Sequence, residues 1–329
     1  MTTLSELRWN ALRGEWTVTA THRQERTFFP PDDYCPLCPT HPGGFPTEVP
    51  YESYDLVSFE NRFPSLQREP PEPSVSGDAL QPARPAYGAC EVVLYTPQHD
   101  VTLAELPVAA IDRLVRVWQH RSAEIGARPD IAYVMPFENK GDEVGVTLTH
   151  PHGQIYAYPF VPPVPAAELE QARAHREAHG TCLLCALAGR EEADGRRIVA
   201  ANDDWVAYVP FAARWPYETH VVARRHIALL THLRPAERRA LARLLKALLV
   251  GFDRLFDRSF PYIMAVHQAP VDPATHADAH LHIEFYPPLR SAEKLKYLAG
   301  SETGAGMFID DTLPETTARA LRACVDRGA

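Results

Sequence analysis

The sequence predicts an α+β chain built from two copies of a strand–helix–strand unit, and three observations lead there. Two C-x-x-C pairs, Cys35-Pro-Leu-Cys38 and Cys182-Leu-Leu-Cys185, recur half a chain apart. Two stretches with a glutamate eight residues before a histidine, Glu91 to His99 and Glu218 to His226, recur 127 residues apart. Two histidine doublets, His150-Pro-His152-Gly-Gln154 and His280-Leu-His282-Ile-Glu284, recur 130 residues apart. Self-similarity at a fixed interval is the mark of a duplicated structural unit, here about half of the 329-residue chain.

Each element of the unit has its own signal. Residues 91–95 are rich in Val, Leu and Tyr, as strands are. Pro107 then opens a stretch to Trp118 with apolar residues at helical spacing. Its counterpart begins at Pro235, again with proline just inside the helix start. Leu103 and Leu106 match Leu230 and Leu233. Residues 153–158 and 281–286 read as the closing strands, each ending in an aromatic residue before proline. Prolines cluster at 64–86 and 159–165, which predicts long ordered loops there. Halves of 1–175 and 176–329 follow, with either one core per half or one continuous sheet shared by both.

The bulk composition excludes some classes. No run of about 18 apolar residues occurs, which argues against a membrane span. The first residues lack an apolar core, so no secretory leader is expected and a cytoplasmic location is. A formal charge of −9 speaks against a nucleic-acid binder, which needs a basic face, but leaves room for a nucleotide substrate.

In a chain without an export signal, C-x-x-C pairs point to metal or redox chemistry before disulfides. Cys35, Cys38, His99 and His150 form one set of two sulfur and two nitrogen donors, and Cys182, Cys185, His226 and His280 form the other. Both suit tetrahedral zinc. Four protein ligands leave no open position, so both sites are expected to be structural.

Side chains at i and i+2 of a strand share a face, so His150 and His152 divide the work between metal and substrate. Pro151 lacks an N–H and keeps this stretch from being a fully paired interior strand. Imidazole is a competent nucleophile at neutral pH, and a backbone carbonyl at its other nitrogen would hold the reactive tautomer. Gln154 offers a neutral donor to a phosphate oxygen that gains charge. The second copy has Glu284 in place of Gln154 and, by the same offset, Ala269 in place of Asn139. One active histidine per chain is therefore expected.

The runs Phe137-Glu-Asn-Lys-Gly141 and His150-Pro-His-Gly-Gln-Ile155 resemble the signature of the galactose-1-phosphate uridylyltransferases, members of the histidine-triad superfamily. The similarity extends from Trp16 to about Arg322 and includes Phe285-Tyr-Pro-Pro-Leu-Arg-Ser291. The resemblance implies a histidine-triad-like fold, two tandem repeats of a mostly antiparallel sheet with helices joined into one extended sheet. It implies that His152 carries a uridylyl group from UDP-glucose to galactose 1-phosphate, with Gln154 beside the phosphoryl group. It further implies phosphate and uridine contacts at Asn139, Gly145, Val146 and Thr147, and ribose and base contacts at Asn61 and Arg62. Arg23 and Arg26 match phosphate-side arginines. Lys296, Tyr297 and Glu302 match a hexose-side segment supplied by the neighbouring subunit of a homodimer.

The sequence departs from the best-known members in two places. Those members hold a second metal through a glutamate and three histidines, a set that Glu168, His267, His280 and His282 could reproduce; the second C-x-x-C favours Cys182 and Cys185 instead. The segment 300–306 also differs, which keeps an ADP-glucose phosphorylase-like adenylyl transferase as the alternative. A zinc-stabilised nucleotide- or nucleic-acid-binding module without turnover would need the basic face that the charge disfavours.

Overall fold

The computed structural model describes residues 5–25, 34–272, 274 and 276–327. Nine strands form one sheet in the spatial order β3-β5-β7-β6-β11-β12-β10-β9-β8. In chain order these are β3 (Val57–Glu60), β5 (Ala89–Leu94), β6 (Tyr133–Lys140), β7 (His152–Tyr158), β8 (Ile198–Ala201), β9 (Trp205–Tyr208), β10 (Thr219–Ala223), β11 (Tyr262–His267) and β12 (His282–Tyr286). Every neighbouring pair is antiparallel. β1 (Ser5–Asn10), β2 (Glu15–Ala20) and β4 (Ala83–Pro85) form a smaller sheet, and a hairpin of β13 (Leu289–Ser291) and β14 (Lys294–Leu295) follows the large one in sequence.

Of the two arrangements the sequence left open, the chain adopts the continuous sheet. The halves meet where β6 pairs with β11, from Phe137 opposite Ala265 to Lys140 opposite Tyr262. That ladder stops at Pro136, which has no N–H to offer. On one face lie α1 (Val108–Gly126) and α4 (Pro235–Leu255), packed together, with α5 (Pro314–Asp326) against α4. Glu237, at the third helical position of α4, accepts the Arg234 N–H at 2.7 Å and so caps the start that proline opens. A single apolar core runs under both halves and includes Trp118, Val134, Trp205, Leu241, Phe252 and Phe285. Leu103, Leu106, Leu230 and Leu233 all enter it, as their matched positions imply.

The sequence missed α2 (Pro163–His179) and α3 (Leu183–Asp194). The prolines at 163 and 165, read as loop, instead start a helix, where the missing N–H costs nothing.

Strand register corrects two matches drawn from sequence spacing. His220 pairs with Glu284 as Val92 pairs with Gln154, so His220 answers to Val92 and the two glutamates are out of step by one residue. A slip of one residue turns a side chain to the other face. Glu91 accordingly meets Arg121 of α1 at 2.5 Å on the helix side, whereas Glu218 contacts His220 at 3.0 Å on the opposite side. Likewise Ala265 pairs with Glu284 as Phe137 pairs with Gln154, so the counterpart of Asn139 is His267 and not Ala269.

Phe252 is fully buried and stacks on Phe260 with ring centroids 5.3 Å apart. Phe252→Ala is expected to destabilise the protein by about 3–5 kcal/mol. Chemical denaturation would check this as a fall in midpoint.

Candidate active site and metal centres

Alternation along β7 decides the site: Gly153, Ile155 and Ala157 are buried toward the helices, while His152 and Gln154 face the other way. There they line a cavity of about 590 Å³ together with Asn61, Arg62, Asn139, Gly145, Val146 and Thr147. Eight of the sequence-predicted residues are thus brought to one cleft. His152 Nδ1 lies 2.8 Å from the His150 carbonyl oxygen; a carbonyl only accepts, so Nδ1 carries the proton and the lone pair is on Nε2. Asn61 donates to Gln154 Oε1 at 3.3 Å, which leaves the Gln154 amide nitrogen as the group with donors to spend on a ligand. Asn61 Oδ1 accepts the Phe63 N–H at 2.9 Å, an Asx turn that fixes this wall. Gly145, with φ of 81°, allows the left-handed turn that runs residues 145–147 along the cleft.

Within this cleft Arg62 is exposed and pairs with Glu48 at 3.2 Å on the rim. The remaining candidates lie elsewhere. Arg23 lies on the short helix Thr21–Glu25, donates to the Phe63 carbonyl at 3.0 Å and does not itself line the cleft. Arg26 lies outside the described residues. Lys296 and Glu302 pair with each other at 3.3 Å and Tyr297 is largely exposed; none of the three lines the cleft of its own chain.

Both sulfur–nitrogen sets assemble. In each, one donor atom per residue lies within 4.8 Å of all the others. Cys38 Sγ is 3.3 Å from His99 Nδ1 and 3.5 Å from His150 Nδ1. Donors about 3.5 Å apart suit a tetrahedral ion with bonds of about 2.0–2.3 Å. Burial and then the neighbouring Cys35 push the Cys38 thiol up to about 12, so a thiolate there calls for a cation. His150 Nε2 lies 2.9 Å from the Thr96 carbonyl and 2.9 Å from the Tyr54 hydroxyl, which turns Nδ1 toward the sulfurs. In the second set His280 Nδ1 is 3.5 Å from Cys182 Sγ and 3.4 Å from Cys185 Sγ, and His226 Nδ1 is 3.9 Å from Cys185 Sγ. The Cys185 thiol and then His280 lower the Cys182 thiol, so one sulfur of this pair ionises readily while the other resists. The donor chemistry of both sets fits zinc.

The alternative set splits. His280 joins the sulfurs, and Glu168, His267 and His282 gather instead with Glu284 in a second cavity of about 680 Å³ covered by α2 and α3. Glu168 is 2.9 Å from His267 Nδ1, and Glu284 is 3.5 Å from His282 Nε2. Burial opposes charge on His282, but Glu284 and Glu168 outweigh it and push the ring up to about 9. This is the second-half counterpart of the first cleft, with Glu284 for Gln154, His220 for Val92 and Tyr208 for Phe59.

Sequence reasoning also missed Tyr54 and the buried Glu138. The first has no motif; the second stands inside the quoted Phe137–Gly141 run but went unassigned.

Family models described as galactose-1-phosphate uridyl transferase match this chain in two parts, the N-terminal domain over residues 1–162 and the C-terminal domain over 168–327. A galactose-1-phosphate uridylyltransferase from Thermotoga maritima is 38% identical over 320 residues, which span 97% of this chain and 98% of that one. A solved uridylyltransferase structure superposes with a TM-score of 0.87 at 37% identity, covering 98% of this chain and 99% of the other. An ADP-glucose phosphorylase from Arabidopsis thaliana with bound ADP-glucose shares the fold, with a TM-score of 0.72 at 24% identity over 97% and 98% of the two chains.

Proposed function

Because this chain belongs to the galactose-1-phosphate uridyl transferase family, we propose that it moves the uridylyl group of UDP-glucose to galactose 1-phosphate, in galactose metabolism. The observation that carries the mechanism is His152, held by its Nδ1–H on the His150 carbonyl with Nε2 as the basic nitrogen, in a cleft of nucleotide size. Nε2 attacks the uridine-side phosphorus, the bond to the bridging oxygen breaks, and glucose 1-phosphate leaves. A phosphate oxygen of galactose 1-phosphate then attacks the same phosphorus, the P–N bond breaks, and UDP-galactose forms. No metal is needed to activate the histidine, because neutral imidazole already carries the lone pair.

The other residues take supporting parts in this reading. Gln154 and Asn139 donate to the phosphoryl oxygens, Asn61 and Arg62 meet ribose and base, and the backbone of Gly145, Val146 and Thr147 follows the nucleotide. Arg23 and Arg26 take the phosphate-side role that the family resemblance gives them. Lys296, Tyr297 and Glu302 reach the hexose of a neighbouring subunit, which makes the enzyme a homodimer; Tyr297's exposure supports that placement. Residues 1–175 carry the nucleophile and one metal site, and 176–329 carry the second metal site and the hexose-side segment. Two zinc ions, one per sulfur–nitrogen set, tie loops to the sheet and take no part in bond making. The protein works in the cytoplasm. The adenylyl-transfer alternative is not favoured, since the ADP-glucose phosphorylase is the more distant relative of the two solved folds.

Transfer by His152→Gly is expected to fall on the order of a thousandfold or more, with imidazole in solution restoring part of it. Full transfer without imidazole in a steady-state assay would remove His152 from the mechanism.

Initial rates at varied concentrations of both substrates should give parallel double-reciprocal lines, the mark of a covalent intermediate. Intersecting lines would count against it.

Elemental analysis should find about two zinc ions per chain, and Cys182→Ser with Cys185→Ser should lose one and lower Tm, since binding energy at such a site is folding energy. Unchanged metal content would place the second ion on other ligands.

A further inference from the structure

Behind the His152 cleft, the helix-covered side of the sheet holds a polar trio where apolar packing would be expected, Tyr95 and Glu138 from the first half and Tyr262 from the second. Gly153 stands between His152 and Gln154 and points to that side; a Cβ added there would lie 2.1 Å from the Tyr95 hydroxyl oxygen. The phenol of Tyr95 therefore rests directly behind the two residues that face the cleft. Its O–H donates to Glu138 Oε2 at 3.3 Å, and the Tyr262 O–H donates to Glu138 Oε1 at 3.2 Å. All three side chains are buried. Glu138 immediately precedes Asn139 on β6, the strand that pairs with β7 at Phe137–Gln154 and with β11 at Glu138–Met264. One carboxyl thus ties the end of β5, where the Tyr95 phenol abuts Gly153 of β7, to the strand of Asn139 and to β11 of the other half.

The second half supplies the control. Val222 pairs with His282 as Leu94 pairs with His152, so Ala223 answers to Tyr95 and Ile283 to Gly153. Ala265 pairs with Glu284 as Phe137 pairs with Gln154, so Val266 answers to Glu138. Ala223, Val266 and Ile283 are all buried in the apolar core. The repeat therefore folds with hydrocarbon at every one of these places. A buried carboxyl is costly where a valine is not, and burial pushes Glu138 up to about 7 despite the nearby Lys140. That cost is borne only in the half with His152.

We propose that Tyr95 and Glu138 are positioning residues, which together set the depth of β7 so that His152 and Gln154 align with Asn139 around the phosphorus. The inference rests on His152 as nucleophile. The phenol takes the room of the missing Gly153 side chain, and the Glu138 carboxyl stops it from sliding. The effect falls on the chemical step and spares uridine binding, whose contacts lie at Asn61 and residues 145–147.

The test is rapid-quench formation of uridylyl-protein from radiolabelled UDP-glucose, alongside UMP affinity by calorimetry, Tm and metal content. Tyr95→Phe and Glu138→Val are expected to slow adduct formation by about 10–100-fold, the scale of an ångström of misplacement. UMP Kd should stay within about twofold of wild type, as for a change felt only in the transition state. Glu138→Gln, which can still accept one tyrosine O–H, should recover most of the rate. Wild-type rates in Tyr95→Phe and Glu138→Val would overturn the inference alone, as would an equal loss of UMP affinity in both. Failure of Glu138→Gln to exceed Glu138→Val in a folded protein would overturn it too. A wild-type protein that turns over substrate without any uridylyl-protein would overturn the nucleophile assignment, and this inference with it.

Discussion

The pairing of β6 with β11 is the contact on which the rest of the molecule depends. It converts two repeats into one sheet, and a sheet has only two faces. Once α1 and α4 pack together over one face, a common core forms there and the opposite face is left for ligands. The His152 cleft and the charged cavity under α2 and α3 lie on the open face, and each has a sulfur–nitrogen set beside it. The two faces are separated by single-residue steps along each strand, so register is a functional property here as well as a structural one.

The two copies show how such a frame diverges. The sulfur–nitrogen donors keep their places in both, each set of four gathered within reach of a single ion. The cleft positions do not. Glu284 stands for Gln154, His220 for Val92 and His267 for Asn139, which turns a cleft suited to an anion into one crowded with carboxylates and imidazoles. Glu168 lies 2.9 Å from His267 and 3.8 Å from His282, and Glu284 lies 3.5 Å from His282, so the four groups meet one another across that cavity. The buried layer behind the cleft diverges in the opposite sense, polar in the first half and hydrocarbon in the second.

Much of this was legible in the chain. Cysteines and histidines announce themselves by type and spacing, so both ligand sets and the His-Pro-His run could be read without coordinates. The helices at 108–126 and 235–255 were readable from apolar periodicity and opening prolines. Counting residues failed where a strand gains or loses one position between the copies. Glu91 and Glu218 match by distance to the next histidine yet lie on opposite faces, since the offset changes by one between strand and metal ligand. Asn139 and His267 are equivalent through hydrogen bonds to the neighbouring strand, and sequence carries no direct record of those. α2 and α3 hid behind prolines that read equally well as loop. Tyr54 was beyond reach because a tyrosine 96 residues from its histidine has no pattern to declare it.

The join between the halves also fixes an order of events at the ribosome. When β6 leaves the exit tunnel its outer edge has no partner, and β11 follows only about 120 residues later. At synthesis rates of about 5–20 residues per second, that edge stays bare for roughly 6–25 s. An open strand edge is a template for pairing with another chain. Pro136, which cannot donate, shortens that template to the four residues from Phe137 to Lys140, of which Glu138 and Lys140 carry ionisable groups that blunt it further. The place where the repeats fuse in the finished protein is thus one that stands open to mispairing while the protein is made.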